Sequence, residues 1–155
     1  MSNLRLASAL VLALDLAASP AFADASDDRA MAMVDRAVQY EKVNGTEKAL
    51  AAFNDRAGGF VDGELYVFAY DFTGKCLAHG GDPKLVGTNM LEWRSADGRF
   101  IFKEMIEVAR KHKNGWIDYP FKNPKTGAVE AKTSYVQKVG DHFVGSGTYR
   151  TSPRS

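Results

Sequence analysis

The stretch from Trp116 to Tyr135 reads W-I-D-Y-P-F-K-N-P-K-T-G-A-V-E-A-K-T-S-Y. It divides into two strand-like runs around Asn123-Pro-Lys-Thr-Gly127, a turn rich in turn formers. The first run carries Trp116, Tyr119 and Phe121. The second, from Val129 to Val139, is long and alternating and carries Lys132 and Tyr135. Gly140-Asp141 turns the chain again, and His142 to Tyr149 reads as a further strand. Strands joined by turns this short pair antiparallel, so the three form a meander. Aromatic walls with one cation among them suit a small anion, which makes this hairpin one side of a candidate pocket.

Upstream of the hairpin the periodicity changes. Arg99 to Asn114 reads as a helix, with Phe102, Met105, Ile106 and Ala109 on one face, cations near its negative end and Gly115 as its stop. Before it, Gly80 to Gly98 has little pattern and reads as a long loop anchored by Leu85, Val86, Met90, Leu91 and Trp93. Loops of that length inside compact domains usually serve function. Leu65 to Tyr70 is apolar on both faces, with Tyr66, Phe68 and Tyr70 on one and Leu65, Val67 and Ala69 on the other, so it reads as a central strand. It turns at Asp71 to Gly74 and returns as Lys75 to His79. Further upstream, Ser26 or Asp27 is expected to cap a helix with the stripe Met31, Val34, Ala37, Val38 and Glu41, ending at Asn44-Gly45. Thr46 is expected to cap a short second helix, with Ala49, Leu50 and Phe53 inside and Gly58-Gly59 at its end. The expected fold class is α+β: a five- to six-stranded antiparallel sheet in a two-layer domain, with the helices on one face.

Composition narrows the function classes. The 155 residues are 45% hydrophobic and 25% charged, enough for one domain with a core, and the net charge of +1 gives no reason to expect a nucleic-acid partner. Met1 to Ala23 reads as a signal peptide, with Arg5 before an apolar run from Leu6 to Ala18 and Ala21-Phe22-Ala23 as the cleavage pattern. The mature domain is then residues 24–155, and a periplasmic location is expected. Asp15 interrupts the apolar run, at a cost of about 2.5–3.5 kcal/mol in a spanning helix. The run is shorter than the roughly 20 apolar residues that a permanent anchor needs. Cys76 is the only cysteine, so neither an internal disulfide nor a cysteine cluster for zinc is available. His79, His112 and His142 are scattered without ligand spacing. G-S-G at Gly145 to Gly147 sits on a strand and lacks the rest of a phosphate loop, so close backbone packing explains it better. No metal site and no cofactor fingerprint is read.

Five spaced segments carry a family resemblance: Y-V-F-A-Y-D-F-T-G-K-C-L-A-H, D-P-K-L-V-G-T-N, G-W-I-D-Y-P-F-K-N-P-K-T-G, K-T-S-Y-V and V-G-S-G-T-Y. In this order, from about Asp28 to Tyr149, the chain resembles the single Cache domain, type 2. That resemblance implies an extracytoplasmic sensor domain with a PAS-like sheet, a long N-terminal helix and a loop–helix segment packed over the sheet. It implies a pocket for a small molecule, often a short organic acid such as acetate, propionate or pyruvate. It also implies signal transduction or chemotaxis through a membrane-bound sensor kinase or chemoreceptor, and a homodimer through the N-terminal helix. No membrane helix or output module follows the domain, so a free periplasmic version is expected. Phe121 stands where many relatives carry a tryptophan.

Within that frame Lys132 is the sharpest candidate. A lone strand lysine ordinarily faces solvent, but this one matches the family's K-x-x-Y motif, and an ammonium with three donors can fix a carboxylate in a dry site. Tyr119 and Tyr135 can donate to the other carboxylate oxygen, and Trp116 can wall the pocket and donate its indole N–H. Tyr135 faces away from Lys132 on an ideal strand, so both reach one ligand only across a bulge or a strong twist. His79 stands at the mouth of the long loop. Trp93 and Phe102 can close the pocket from the helix side, with Phe68 as a further wall. An enzyme is not expected, since no activated nucleophile or metal accompanies these groups. A ligand-free module that modulates a membrane sensor is the competing reading, and a small enzyme acting on a carboxylate ranks last.

Overall fold

The computed structural model describes residues 21–150. The expected leader peptide, except for Ala21, Phe22 and Ala23, lies outside them, as does the tail from Thr151. The elements are α1 (Ala21–Asn44), α2 (Thr46–Asn54), β1 (Val61–Asp62), β2 (Leu65–Asp71), β3 (Cys76–His79), α3 (Ile101–His112), β4 (Asn114–Lys122), β5 (Val129–Val139) and β6 (His142–Arg150). The six strands make one antiparallel sheet in the order β1-β2-β6-β5-β4, with β3 also beside β2. The fold is thus α+β, with the long first helix and the loop–helix segment that the sequence led us to expect. None of the described helices is long and apolar enough to cross a membrane.

The helices do not share one face. Leu65, Val67 and Ala69 of β2 pack with Ala30, Met33 and Ala37 of α1 and with Ala49 and Phe53 of α2. Tyr66, Phe68 and Tyr70 pack with Ile101, Phe102, Met105, Ile106 and Ala109 of α3. The domain therefore has three layers rather than two. The reason lies in β2 itself, which is apolar on both sides and must be covered on both.

Local corrections follow from packing. α1 starts ahead of Ser26 and Asp27, so neither is its cap. Asp27 is instead a buried helical residue paired with Arg150 at the end of β6. Met31 is partly exposed and Met33 takes the inner position. Gly45, at φ 83, precedes α2, and Thr46 donates to Glu41 at 2.7 Å rather than capping. Helix α2 ends at Asn54, before the two glycines. Val86 is exposed, unlike its neighbours Met90 and Trp93. Lys113, at φ 69, makes the left-handed turn after α3, while Gly115 lies inside β4, where a Cβ would strike Val108 of α3.

Strand β6 is fixed to α1 at both ends, by Arg150–Asp27 and by His142 Nε2 on Glu41 at 3.2 Å. Between them, Gly145 and Gly147 open a groove beside β5. The Phe68 ring covers Gly145, and Ser134 and the Thr133 carbonyl crowd Gly147. A Cβ at position 147 has no room, and the obstruction is mostly backbone. Gly147→Ala is expected to lower stability by about 1–3 kcal/mol, read as a lower urea midpoint with unchanged slope.

Candidate functional site

Strand register decides which side chains meet. On β4 and β5, Tyr119 lies opposite Lys132, and Trp116 opposite Tyr135. Trp116 and Tyr119 are three positions apart on β4, as are Lys132 and Tyr135 on β5, so the members of each pair fall on opposite faces. Tyr119 and Lys132 face α3 and the long loop. Trp116 and Tyr135 face α1, where their rings meet at 5.1 Å beside Val34 and Val38. The β4–β5 and β5–β6 ladders run without a bulge through this region, so Tyr135 and Lys132 do not converge. Trp116 and Tyr135 are thus removed from the candidate pocket; they are core residues of the α1 layer.

Lys132 is 1% exposed. Its Nζ donates to the Tyr66 hydroxyl at 2.7 Å. Four ring centroids surround it: Tyr66 at 4.1 Å, Tyr149 at 5.0 Å, Phe68 at 5.2 Å and Phe121 at 5.4 Å. Tyr149 donates to the Lys122 carbonyl at 2.8 Å, so in the 3.1 Å contact between the two phenols Tyr66 is the donor. The result is a one-way chain from Lys132 through Tyr66 and Tyr149 to a backbone oxygen. Each link polarises the next. No described acidic side chain makes an ion pair with Lys132. Burial pulls its amine well below the usual lysine range. Burial likewise pushes Tyr66 up, so it remains a neutral phenol.

His79 closes the same space from β3. Its ring is buried and stacks on Phe68 at 6.3 Å. The Asp82 amide donates to Nδ1 at 2.8 Å, which leaves the proton of the neutral ring on Nε2. Burial first, and then the Lys132 charge, lower its pKa to about 3. The Tyr119 hydroxyl pairs with Ser134 Oγ at 3.0 Å. Together Phe68, Tyr70, His79, Phe102, Tyr119, Phe121 and Lys132 line a narrow inner cleft that is too tight for water. An outer cavity of about 460 Å³ lies above it, lined by Tyr66, Leu85, Met90, Trp93, Lys84 and Lys122 among others. His79 and Phe121 line both spaces. Trp93 meets Phe121 edge-on at 5.5 Å and Phe102 at 5.7 Å, so these rings separate the lysine from the outer cavity.

A Cache domain model (dCache_2) matches residues 32–153. This chain belongs to the Cache domain family. A methyl-accepting chemotaxis protein of Pseudomonas putida, McpP, is 37% identical over 92 residues, which are 57% of this chain and 16% of that receptor. The chain thus spans about a sixth of that relative's length. A periplasmic sensor domain of a chemotaxis protein is 26% identical, with a TM-score of 0.64 over 88% of this chain and 99% of that one. A methyl-accepting chemotaxis protein from Vibrio parahaemolyticus shares the fold, with a TM-score of 0.73 at 22% identity over 83% of this chain and 91% of that one.

Six of the eight side chains singled out in the sequence line this Cache domain's two neighbouring spaces: Lys132, Tyr119, His79, Trp93, Phe68 and Phe102. Tyr66 and Tyr149 were missed, although both contact Lys132 directly. Alternation on β2 already placed Tyr66 beside Phe68; Tyr149 needed the β5–β6 register, which sets it opposite Lys132. Among the described residues no cluster of histidine, cysteine or acidic side chains can hold a metal.

The His79 shift has a pH consequence. The unfolded ring takes a proton near pH 6.5 and the folded one only near 3, so the unfolded state binds more protons between these values. Stability contributed by neutral His79 is present above pH 6.5 and is lost as pH falls towards 3. Urea midpoints of the wild type are expected to drop more steeply across that window than those of His79→Gln. Parallel profiles would refute a buried neutral His79.

Proposed function

We propose that this Cache domain is a periplasm-facing sensor for a short-chain organic acid, whose carboxylate docks at Lys132. The observation that carries this reading is the buried Lys132 amine with no anionic partner among the described residues. A buried cation without a counter-charge is costly, and a carboxylate supplies that charge together with acceptors for the unused N–H groups. Phe68, Phe102 and Phe121 offer apolar contact to a short chain, and His79 Nε2–H is a second donor. A further Cache chemosensory domain, described as recognising a carboxylic acid, shares the fold at a TM-score of 0.68 and 24% identity over 83% of this chain and 96% of that one. Acetate, propionate and pyruvate are the ligands of the right size and charge. Since McpP is a chemotaxis receptor, we read the output as passing through a membrane chemoreceptor or a sensor kinase, and the bound acid as a signal rather than a substrate.

Two outcomes test this. Lys132→Met keeps the volume and removes the buried amine. It is expected to abolish stabilisation by the acids while leaving the ligand-free melting point unchanged or higher. Retained acid binding in that variant would sink the proposal. Binding also has a proton signature. Burial favours the neutral amine in the free domain, and a carboxylate beside it favours the ammonium, so the complex takes up a proton above the lowered Lys132 pKa. Affinity is expected to fall about tenfold per pH unit in that range, and calorimetric heats to vary with the ionisation enthalpy of the buffer. Heats independent of buffer would show that Lys132 does not change charge.

A further inference from the structure

The end of the domain where β5 turns into β6, opposite the Arg150–Asp27 pair, concentrates positive charge that the carboxylate reading does not use. Arg110 near the end of α3, Lys113 and Asn114 at the passage into β4, Gln137 and Lys138 of β5, and Gly140 of the following turn line a basin of about 450 Å³. Arg110, Lys113 and Lys138 are cations, and none of the lining residues is an acid. Lys138 lies six positions along β5 from Lys132, roughly 20 Å on an extended strand, so the basin is a separate place in the fold.

The basin's charge is not balanced from within. No acid among the described residues pairs with Arg110, Lys113 or Lys138. The carboxylates on the surrounding elements are engaged elsewhere: Glu104 with Arg99, Glu107 with Lys111, Asp118 with Thr133, Glu130 with Asn123, Asp141 with His142, and Asp71 with the Thr73 and Lys75 amides. Like charges on a surface ordinarily splay apart into water, but here two are held together. The Phe72 ring of the β2–β3 turn carries the Arg110 guanidinium at 4.9 Å and the Lys138 ammonium at 5.6 Å. The negative end of α3 accounts for basic residues in its last turn, but not for Lys113 and Lys138, which stand outside the helix. The third cation is set by the backbone. Lys113 takes φ 69 and ψ −36, a costly conformation for a residue with a side chain, and its carbonyl accepts from the Lys138 amide at 2.7 Å. Glycine meets such a turn more cheaply, whereas lysine keeps a charge at the rim of the basin.

We propose that this basin is a second anion site, separate from Lys132, which takes a phosphate-type oxyanion, either free or as the headgroup of a lipid. A tetrahedral oxyanion with more than one negative charge offers acceptors in every direction to a guanidinium fork and two ammonium groups, whereas a monocarboxylate offers one charge and two oxygens. The Asn114 and Gln137 carboxamides add neutral donors at the same rim. The volume exceeds that of a bare phosphate and leaves room for the organic part of a phosphate ester. This assignment does not depend on what Lys132 binds.

The test is titration with inorganic phosphate at constant ionic strength, followed by the NMR signals of the Asn114 and Gln137 side-chain amides, beside co-sedimentation with phosphatidylcholine vesicles that contain or lack phosphatidylglycerol. The wild type is expected to give saturating shifts of both signals with phosphate and none with chloride. Arg110→Gln and Lys138→Gln are each expected to weaken binding at least about fivefold, and Lys48→Gln, which removes an exposed charge of α2, to leave it unchanged within about twofold. Lys113→Gly separates function from structure: it removes charge and strain together, so phosphate binding weakens while the melting point equals or exceeds that of the wild type. A lower melting point with unchanged phosphate affinity would show that Lys113 serves the fold alone and would overturn the assignment. Saturation by free phosphate without sedimentation identifies a soluble ligand. Sedimentation that requires phosphatidylglycerol and is lost in Arg110→Gln identifies a headgroup. Wild-type protein that responds to neither probe, or equal losses in Lys48→Gln and Lys138→Gln, would overturn the site and leave the Lys132 reading untouched.

Discussion

Strand β2 is buried on both of its faces, and the layering of the domain follows from that constraint. Its odd-numbered residues, Leu65, Val67 and Ala69, draw α1 and α2 onto one side; Tyr66, Phe68 and Tyr70 draw α3 and the long loop onto the other. The two sides are chemically different. The α1 side sets the alanines of both helices among Leu65, Val67, Phe53 and Phe60. The α3 side uses aromatic rings, several with a polar tip, over a strand whose Gly145 and Gly147 project nothing. Large flat rings over a groove without side chains do not fill space as evenly as aliphatic groups do. The inner cleft is the gap that remains.

Into that gap the sheet places a lysine. Burying an ammonium without an anion is unfavourable, and the surroundings offset only part of the cost. Four aromatic rings give favourable faces to the cation, and Tyr66 accepts one N–H at the head of a chain that ends on a carbonyl. What they do not supply is negative charge. The same low dielectric that depresses the Lys132 and His79 pKa values would strengthen any contact with an incoming anion. A site of this kind is poorly satisfied when empty, and closing rings such as Phe121 and Trp93 must move for a ligand to enter from the outer cavity. The position of β6 is relevant here. Tyr149 touches the lysine on one face, and the next residue, Arg150, holds Asp27 of α1 on the other.

Much of this was legible in the chain. The two-faced apolar run at Leu65 to Tyr70, the alternation from Val129 to Val139 and the glycine turns gave the strands and their antiparallel pairing. Five ordered motifs gave the family. Lys132 was identifiable as a candidate because it matches the family's K-x-x-Y motif; composition alone reads it as a solvent-facing strand lysine. The errors were of two physical kinds. Helix ends moved where tertiary contacts outweighed local capping, as when Asp27 took Arg150 for a partner and Glu41 accepted from Thr46. Aromatic residues were grouped by nearness in sequence, although a spacing of three on a strand puts them on opposite faces. Trp116 and Tyr135 were lost from the pocket for that reason.

The sequence by itself determined the element types, the antiparallel meander, the family and one side chain of the site, because periodicity and turn chemistry act over a few residues. Only the tertiary structure decided that the domain has three layers and that Tyr66 and Tyr149 complete the surroundings of Lys132. Those facts depend on the lateral register of β2, β6 and β5, which brings together residues as far apart as Tyr66 and Tyr149. Register is fixed by which faces become buried in the assembled sheet, and no local segment carries that information.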